Sequence, residues 1–254
     1  MFALERQKKI LEMLSLEGAV TVSKLSSILD VTEETVRRDL EKLEKQESLK
    51  RTHGGAVPIE ESTYELSLEK RKHTNLDVKM RLAREAVKYI FPGDTVFLDA
   101  STTTFFMAKE LKKMKNVTVI TNSLRVVTEL DGAEGIKVVS IGGKLSSNQS
   151  FVGSISENII KKYFFASKVF FSSKGITAEV GVLESNEEEC GIKQKMIENS
   201  NRTFYLVDKS KVKRVGFVKL CGFDKIDTVI TDAVFDETFL SKFEENNTEI
   251  VEIK

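Results

Sequence analysis

The stretch Val31–Val57, VTEETVRRDLEKLEKQESLKRTHGGAV, decides how this chain is read. Thr32 stands where a helix would begin, and Val36, Leu40 and Leu43 follow at helical spacing, so Glu33–Gln46 is predicted to be a helix with one apolar face. Glu33 and Glu34 fall in its first turn, where the positive end of the helix dipole favours carboxylates. Ser48–Thr52 then alternates in polarity and meets His53-Gly54-Gly55, the pattern of a small β-wing closed by a glycine turn.

Outward toward the N-terminus, Leu4–Leu16 carries Leu4, Ile10, Leu11 and Leu14 and is predicted to be a helix stopped by Gly18. Thr21 is placed to cap a second helix from Val22 that holds Leu25, Ile28 and Leu29, and Asp30-Val31 makes a tight turn into the third. Two short helices joined by such a turn, with a helix before them, predict a helix-turn-helix over about residues 20–39. Arginine donates two hydrogen bonds to guanine, and threonine offers a hydroxyl to phosphate and a methyl to thymine. The candidate DNA contacts are therefore Thr21, Thr32, Thr35, Arg37 and Arg38, with Lys42 placed for phosphate. Arg51 and His53 on the wing suit the DNA backbone or minor groove. The plainer reading leaves Arg37 and Arg38 on a solvated face, paired with Glu34 and Glu41.

Toward the C-terminus, residues 58–75 are polar and weakly periodic, which predicts a linker or connecting helix between a domain at 1–57 and another at 76–254. From Asp77 on, helical patterns (Val78–Ile90, Phe105–Lys112, Ile155–Tyr163, Glu187–Asn199) alternate with β-branched runs. Those runs are Thr95–Asp99, Val117–Thr121, Lys137–Ile141, Lys168–Ser172, Thr203–Val207 and Thr228–Thr231. The alternation predicts an α/β domain with a mostly parallel sheet.

In such sheets ligands bind beyond the carboxyl ends of strands. Here those ends are polar. Asp99-Ala100-Ser101-Thr102-Thr103-Thr104 opens a helix whose N-terminus would suit a phosphate, and Thr121-Asn122-Ser123 opens another. Gly142-Gly143-Lys144, Ser172-Ser173-Lys174-Gly175 and Asp208-Lys209-Ser210-Lys211 close three further strands. Hydroxyls and amides, lysines for phosphate, and Asp99 and Asp208 for sugar hydroxyls together point to a phosphorylated sugar. The candidate effector contacts are Asp99, Ser101, Thr102, Thr103, Thr104, Asn122, Ser123, Gly142, Gly143, Lys174, Gly175, Glu188, Asp208 and Lys211. The acidic run at 184–189 argues against a second phosphate there, and Glu188 is expected to order Lys174 or Lys211.

The Thr35–Leu40 core TVRRDL followed by Arg51–Ala56 resembles the DNA-binding domain of the DeoR family of bacterial regulators. Asp99–Thr104, Thr121–Ser123, Gly142-Gly143, Gly153, Lys174–Ile176, Glu188 and Asp208–Lys211 resemble that family's sensor domain, so the likeness covers nearly the whole chain. It implies a winged helix-turn-helix followed by a larger α/β domain related to sugar-phosphate isomerases and used as a sensor. It also implies a cytoplasmic repressor of carbohydrate-catabolic genes that leaves operator DNA when a phosphorylated sugar or sugar acid accumulates. Family members commonly carry glycine where Ala100 and Ser101 stand; Ser101 adds a hydroxyl that bears on which effector fits.

Composition agrees with a soluble globular protein of 254 residues, 41% hydrophobic and 31% charged. Its 39 basic and 39 acidic residues balance, so bulk charge gives no sign of nucleic acid. No apolar run suits a membrane span, and the N-terminus does not read as a signal peptide. Cys190 and Cys221 are isolated and are expected to be reduced core thiols. No metal, nucleotide or other cofactor motif and no catalytic triad is present, so an enzyme is not expected. A homo-oligomer, dimer or tetramer, is expected because operators are commonly palindromic.

Overall fold

Alternation along the strands and 3.6-residue stripes along the helices decide what is buried in the computed structural model, which describes residues 3–17, 20–46, 48–52, 54–57 and 68–253. The chain divides into two units, Met1–Leu66 and Ser67–Lys254.

The first unit runs α1 (Ala3–Glu17), β1 (Val20–Thr21), α2 (Val22–Leu29), α3 (Glu33–Lys45), β2 (Lys50–Thr52) and β3 (Gly55–Val57). Ile10 and Leu14 of α1, Leu25 and Leu29 of α2, and Val36, Leu40 and Leu43 of α3 share one core, sealed by Leu49 and Ala56. Thr21 and Thr32 cap α2 and α3 through their hydroxyls. Asp30 closes α2 in the left-handed region with φ 51°, which a short polar side chain tolerates. The wing is an antiparallel sheet in the order β1-β3-β2. β1 was not expected, since two residues are too few to show alternation. It explains Gly55: a Cβ there would meet the Val20 carbonyl oxygen at 1.9 Å, so the two strands pair only over a glycine. Asp39, inside the TVRRDL core, points inward and accepts from Arg6 Nε at 2.5 Å and Gln7 Nε2 at 2.9 Å, tying α1 to α3. Gly18, the expected helix stop, and His53 lie outside the described residues.

The second unit begins with α4 (Leu68–His73), α5 (Leu76–Val87), β4 (Thr95–Leu98), α6 (Thr102–Leu111), β5 (Val117–Thr121), α7 (Leu124–Leu130) and β6 (Ile136–Ser140). It continues with β7 (Lys144–Leu145), β8 (Phe151–Val152), α8 (Ser154–Tyr163), β9 (Ala166–Phe171), β10 (Gly175–Thr177), β11 (Gly181–Glu184) and α9 (Glu187–Glu198). It ends with β12 (Ser200–Val207), β13 (Val218–Cys221), β14 (Thr228–Thr231), α10 (Glu237–Glu245) and β15 (Glu249–Glu252). Seven strands form a parallel sheet in the order β15-β14-β12-β9-β4-β5-β6. Val96, Leu98, Phe204 and Leu206 face α5, α6 and α7, while Phe97, Tyr205 and Val207 face α8, α9 and α10. Both faces are therefore covered, which is why the strands are apolar throughout. Cys190 and Cys221 are buried, and burial pushes their thiols up to about 11 and about 12.

The helix expected after Thr121-Asn122-Ser123 is α7, while several other elements were not expected: α10, β15, the β7–β8 hairpin and the small sheet β10-β11-β13. All are short, and their patterns are too brief to register as periodic. The stretch 58–75 was expected to be a linker or connecting helix. Leu68–His73 is helical, and Arg71 NH2 donates to Asn148 Oδ1 at 2.8 Å within the second unit.

Candidate functional site

The chain lays down β4, β5 and β6 on one side, then returns to place β9 against the other edge of β4 and continues to β12, β14 and β15. The strand order thus reverses between β4 and β9, and in sheets of this kind ligands bind in the crevice beyond the carboxyl ends of two such strands. Asp99 and Ser172 sit at these two ends.

Asp99 is fully buried. Its Oδ1 accepts from the Ser101 amide at 3.1 Å and the Thr104 hydroxyl at 2.8 Å, and its Oδ2 from the Ser172 amide at 3.1 Å. Lys193 Nζ of α9 lies 3.1 Å from the same Oδ2 and 2.5 Å from Glu184 Oε1, and it donates to the Ser172 carbonyl at 2.7 Å. Burial alone would raise the Asp99 pKa; Lys193 and the hydrogen bonds from Ser101, Thr104 and Ser172 outweigh it and hold the carboxyl below the usual range. Burial likewise opposes the Lys193 charge, but Glu184 and Asp99 raise its pKa.

Beside this triad lie two more lysines. Lys211 Nζ donates to Ser172 Oγ at 2.7 Å. Burial lowers its pKa and Lys193 adds to that, against the pull of Asp208. Lys79 of α5 is buried and donates to the Arg71 and Thr74 carbonyls at 2.5 and 2.7 Å. Burial first, then Lys211, brings it down to about 8 despite Asp208. Among the described residues, neither ammonium has a carboxylate within ion-pairing distance. Asp208 accepts from the Ser210 amide and Asn75 Nδ2 at 3.1 and 3.0 Å. Burial would raise its pKa, but Lys211, Ser210 and Lys79 hold it low. Two partly sheltered cations facing neutral acceptors and one carboxylate make a setting in which an anion is favoured.

The remaining candidate residues divide by role. Ser101 and Ser123 cap α6 and α7, and the Thr104 hydroxyl is used on Asp99. Thr102 is buried. The Thr103 hydroxyl and Asn122 Oδ1 are buried with no partner, while Asn122 Nδ2 donates to the Phe151 carbonyl. Gly142, Gly143 and Gly175 were expected as effector contacts; at two of them the packing also requires glycine. At Gly143, φ is 124° and a Cβ would meet Ser156 Oγ at 1.9 Å; at Gly175 it would meet the Arg214 carbonyl at 2.1 Å. Gly142 has φ 70° with open space beside it. Glu188 was expected to order Lys174 or Lys211; it pairs with Lys144 at 2.9 Å instead. The Lys174 amide donates to the Leu183 carbonyl.

Lys193, Glu184, Lys79 and Asn75 escaped the sequence reading. A signal existed for the lysines: each lies on the buried stripe of its helix, Lys193 with Ile192 and Met196, Lys79 with Leu82 and Ala83. A lysine on an apolar stripe is buried only if a carboxylate, carbonyl or ligand waits for it.

In the first unit, Arg37, Arg38, Lys42, Thr32, Thr21 and Arg51 are exposed and Thr35 partly so. Arg37 pairs with Glu33 at 2.8 Å and Arg38 with Glu34 at 3.3 Å. The Arg37 partner is thus Glu33, and Glu41 pairs with Lys45. The Arg51 amide donates to Glu44 Oε1, fixing the wing to α3.

Among the described residues, no group of three or more His, Cys, Asp or Glu could hold a metal ion, and no helix is long and apolar enough to cross a membrane.

Residues 6–62 match the DeoR-like helix-turn-helix domain, and residues 74–233 match the DeoR C terminal sensor domain. The chain is 39% identical over 254 residues to an uncharacterized HTH-type transcriptional regulator, YulB, of Bacillus subtilis, covering 100% of this chain and 98% of that one. It is 35% identical over 231 residues, 90% of this chain and 86% of the other, to a putative aga operon transcriptional repressor of Escherichia coli O157:H7. It is 34% identical over 252 residues, 96% of each, to the lactose phosphotransferase system repressor of Lactococcus lactis.

Proposed function

Because the chain belongs to the DeoR family of helix-turn-helix transcriptional regulators, we propose that it represses carbohydrate-catabolic genes and leaves its operator when a phosphorylated sugar or sugar acid fills the crevice beyond β4 and β9. Relatives named as repressors of the aga operon and the lactose phosphotransferase system support the carbohydrate setting. The observation that carries the effector reading is the pair Lys79 and Lys211, sheltered beside Asp208 without a carboxylate of their own. A phosphate between them and the N-terminus of α6 would take the place of the missing counter-charge, with Thr103 and Asn122 supplying unused polar atoms. Asp208 would accept from sugar hydroxyls.

Asp99 has both oxygens committed to donors and to Lys193, which leaves it a buttress rather than a general base. This agrees with the relatives, which are named as regulators and not as enzymes.

On the DNA side, α3 would enter the major groove with Thr32, Thr35, Arg37 and Arg38, Lys42 would meet phosphate, and Thr21 and Arg51 would flank. Exposed pairs such as Arg37–Glu33 contribute only about 0–1 kcal/mol, so guanine or phosphate displaces Glu33 at little cost. His53, outside the described residues, belongs to the same proposed face. Half-sites about 34 Å apart would call for an even number of chains, in the cytoplasm where the DNA is.

The test is a thermal-shift panel of hexose and pentose monophosphates, phosphorylated aldonic acids and inorganic phosphate on the full chain. A ligand at 100 times its Kd adds about 2.7 kcal/mol to the stability of the sensor unit. A panel in which no compound raises the Tm would overturn the effector reading.

A further inference from the structure

Three fastenings hold the turn by which the chain enters the sensor unit. Arg71 of α4 donates to Asn148 in the β7–β8 hairpin at 2.8 Å. Lys79 Nζ holds the Arg71 and Thr74 carbonyls at 2.5 and 2.7 Å. Asn75 Nδ2 donates to Asp208 Oδ1 at 3.0 Å and Ser210 Oγ at 3.1 Å.

The Asn75 geometry is informative. It occupies the N-cap position of α5, where asparagine ordinarily accepts from the first helical amides, yet its side chain makes no capping bond. Its backbone is left-handed, with φ 53°. The side chain is given over to Asp208 and Ser210, while the carbonyl accepts from the Lys79 amide at 3.0 Å. Two of these fastenings thus involve groups of the proposed effector site: Asn75 reaches Asp208, and the Lys79 ammonium holds the carbonyls of its own segment.

We propose that the segment Arg71–Lys79 is a latch, closed without ligand and opened when a sugar phosphate takes Asp208 from Asn75 and draws the Lys79 ammonium off the Arg71 and Thr74 carbonyls. This rests on the crevice being the phosphorylated-sugar site. The latch is continuous in sequence with the stretch that joins the two units, and in this proposal its opening is passed along that stretch to the DNA-binding unit. The burial and like charge that lower Lys79 mean its ammonium is under-compensated where it lies, and a phosphate dianion relieves that.

The variant that isolates the latch is Asn75→Gly, which removes the amide and keeps the positive φ unstrained. Hydrogen exchange is measured on the full chain, along with affinity for a DNA duplex selected from a random pool by the wild type. Without ligand, Asn75→Gly should exchange about tenfold faster over residues 68–79, with β4, β9 and β12 unchanged, as expected for local opening after loss of one hydrogen bond to a charged group. The strongest binder of the sugar-phosphate panel should produce the same acceleration in the wild type. The variant should also bind the duplex about fivefold or more weakly before any sugar phosphate is added, and bind the sugar phosphate more tightly. Wild-type exchange over 68–79 in Asn75→Gly, or slower exchange there when the sugar phosphate binds, overturns the latch while leaving the crevice reading intact. A panel without a binder overturns both.

Discussion

Replacing Lys193 with methionine keeps the bulk of the side chain and removes its charge from between Asp99 and Glu184. These side chains are only 7%, 1% and 6% exposed. Removing one partner of a buried ion pair typically costs about 3–5 kcal/mol, because the other charge is left without compensation. Here two carboxylates are left, but the Ser101, Thr104 and Ser172 donors still serve Asp99, so the loss should fall in that range and not above it. At about 2–4 °C per kcal/mol for a unit of this size, the sensor-unit Tm should drop by roughly 6–20 °C. The pH dependence is the sharper test. In the wild type the folded pKa of Asp99 is depressed, so its contribution is present above the unfolded carboxylate value, about 3.9, and is lost as pH falls through the folded one. In Lys193→Met the remaining buried pair keeps, among the described residues, only Lys211, beyond ion-pairing distance, as a nearby cation, and one folded pKa rises above the unfolded value. That contribution is present at low pH and lost as pH rises. The stability gap between the two proteins should therefore narrow between pH of about 7 and about 5. Thermal melts across that window decide it: a gap that is constant or widens on acidification refutes the assignment of the triad.

Three further outcomes are expected. Asp39→Ala should destabilise the first unit by about 1–3 kcal/mol, read by urea titration of the far-UV signal, since the buried acceptor that ties Arg6 and Gln7 of α1 to α3 is lost. Arg37→Ala with Arg38→Ala should leave that stability nearly unchanged yet cost roughly 1–3 kcal/mol per base-reading arginine in a salt-controlled operator-binding assay; unaltered affinity would remove α3 from the groove. Thr103→Val should be neutral or slightly stabilising without ligand because its hydroxyl has no partner, whereas Thr104→Val should cost about 1–3 kcal/mol by stripping a donor from Asp99, a contrast visible in paired melts.

Features set by neighbours along the chain were readable in advance. The Thr21 and Thr32 caps, the apolar stripe of α3 and the turn at Asp30 depend on residues within one or two turns, and the polar ends of β4, β5, β9 and β12 follow from where β-branched runs stop. What the side chains at those ends do was harder to read. Ser101, Ser123 and Thr104 turned inward to cap helices and serve Asp99, while Gly143 and Gly175 answer to Ser156 and Arg214. Glu188 was paired with the wrong lysine because Lys144 approaches only once β7 and α9 are folded together. Lys193 and Lys79 were legible in principle as charges on apolar stripes, but strand order, which no local pattern encodes, brings Asp99 and Ser172 to Lys193, and the turn before α5 brings the Arg71 and Thr74 carbonyls to Lys79.

The reversal of strand order has a consequence for how the second unit comes apart. Its sheet is wound from β4 in opposite directions, and the two halves pair backbone to backbone only along β4 and β9. The apolar cores lie on the two faces and each runs across both halves, which opposes their melting one at a time. The charges add to this. Lys193 belongs to the half containing β9 and β12, and Asp99 to the half containing β4 and β5. If either half frays away, it leaves a buried ion behind in the other, at a cost of several kcal/mol. The seam is thereby made the most cooperative part of the domain, and the protein is expected to lose both halves in one step.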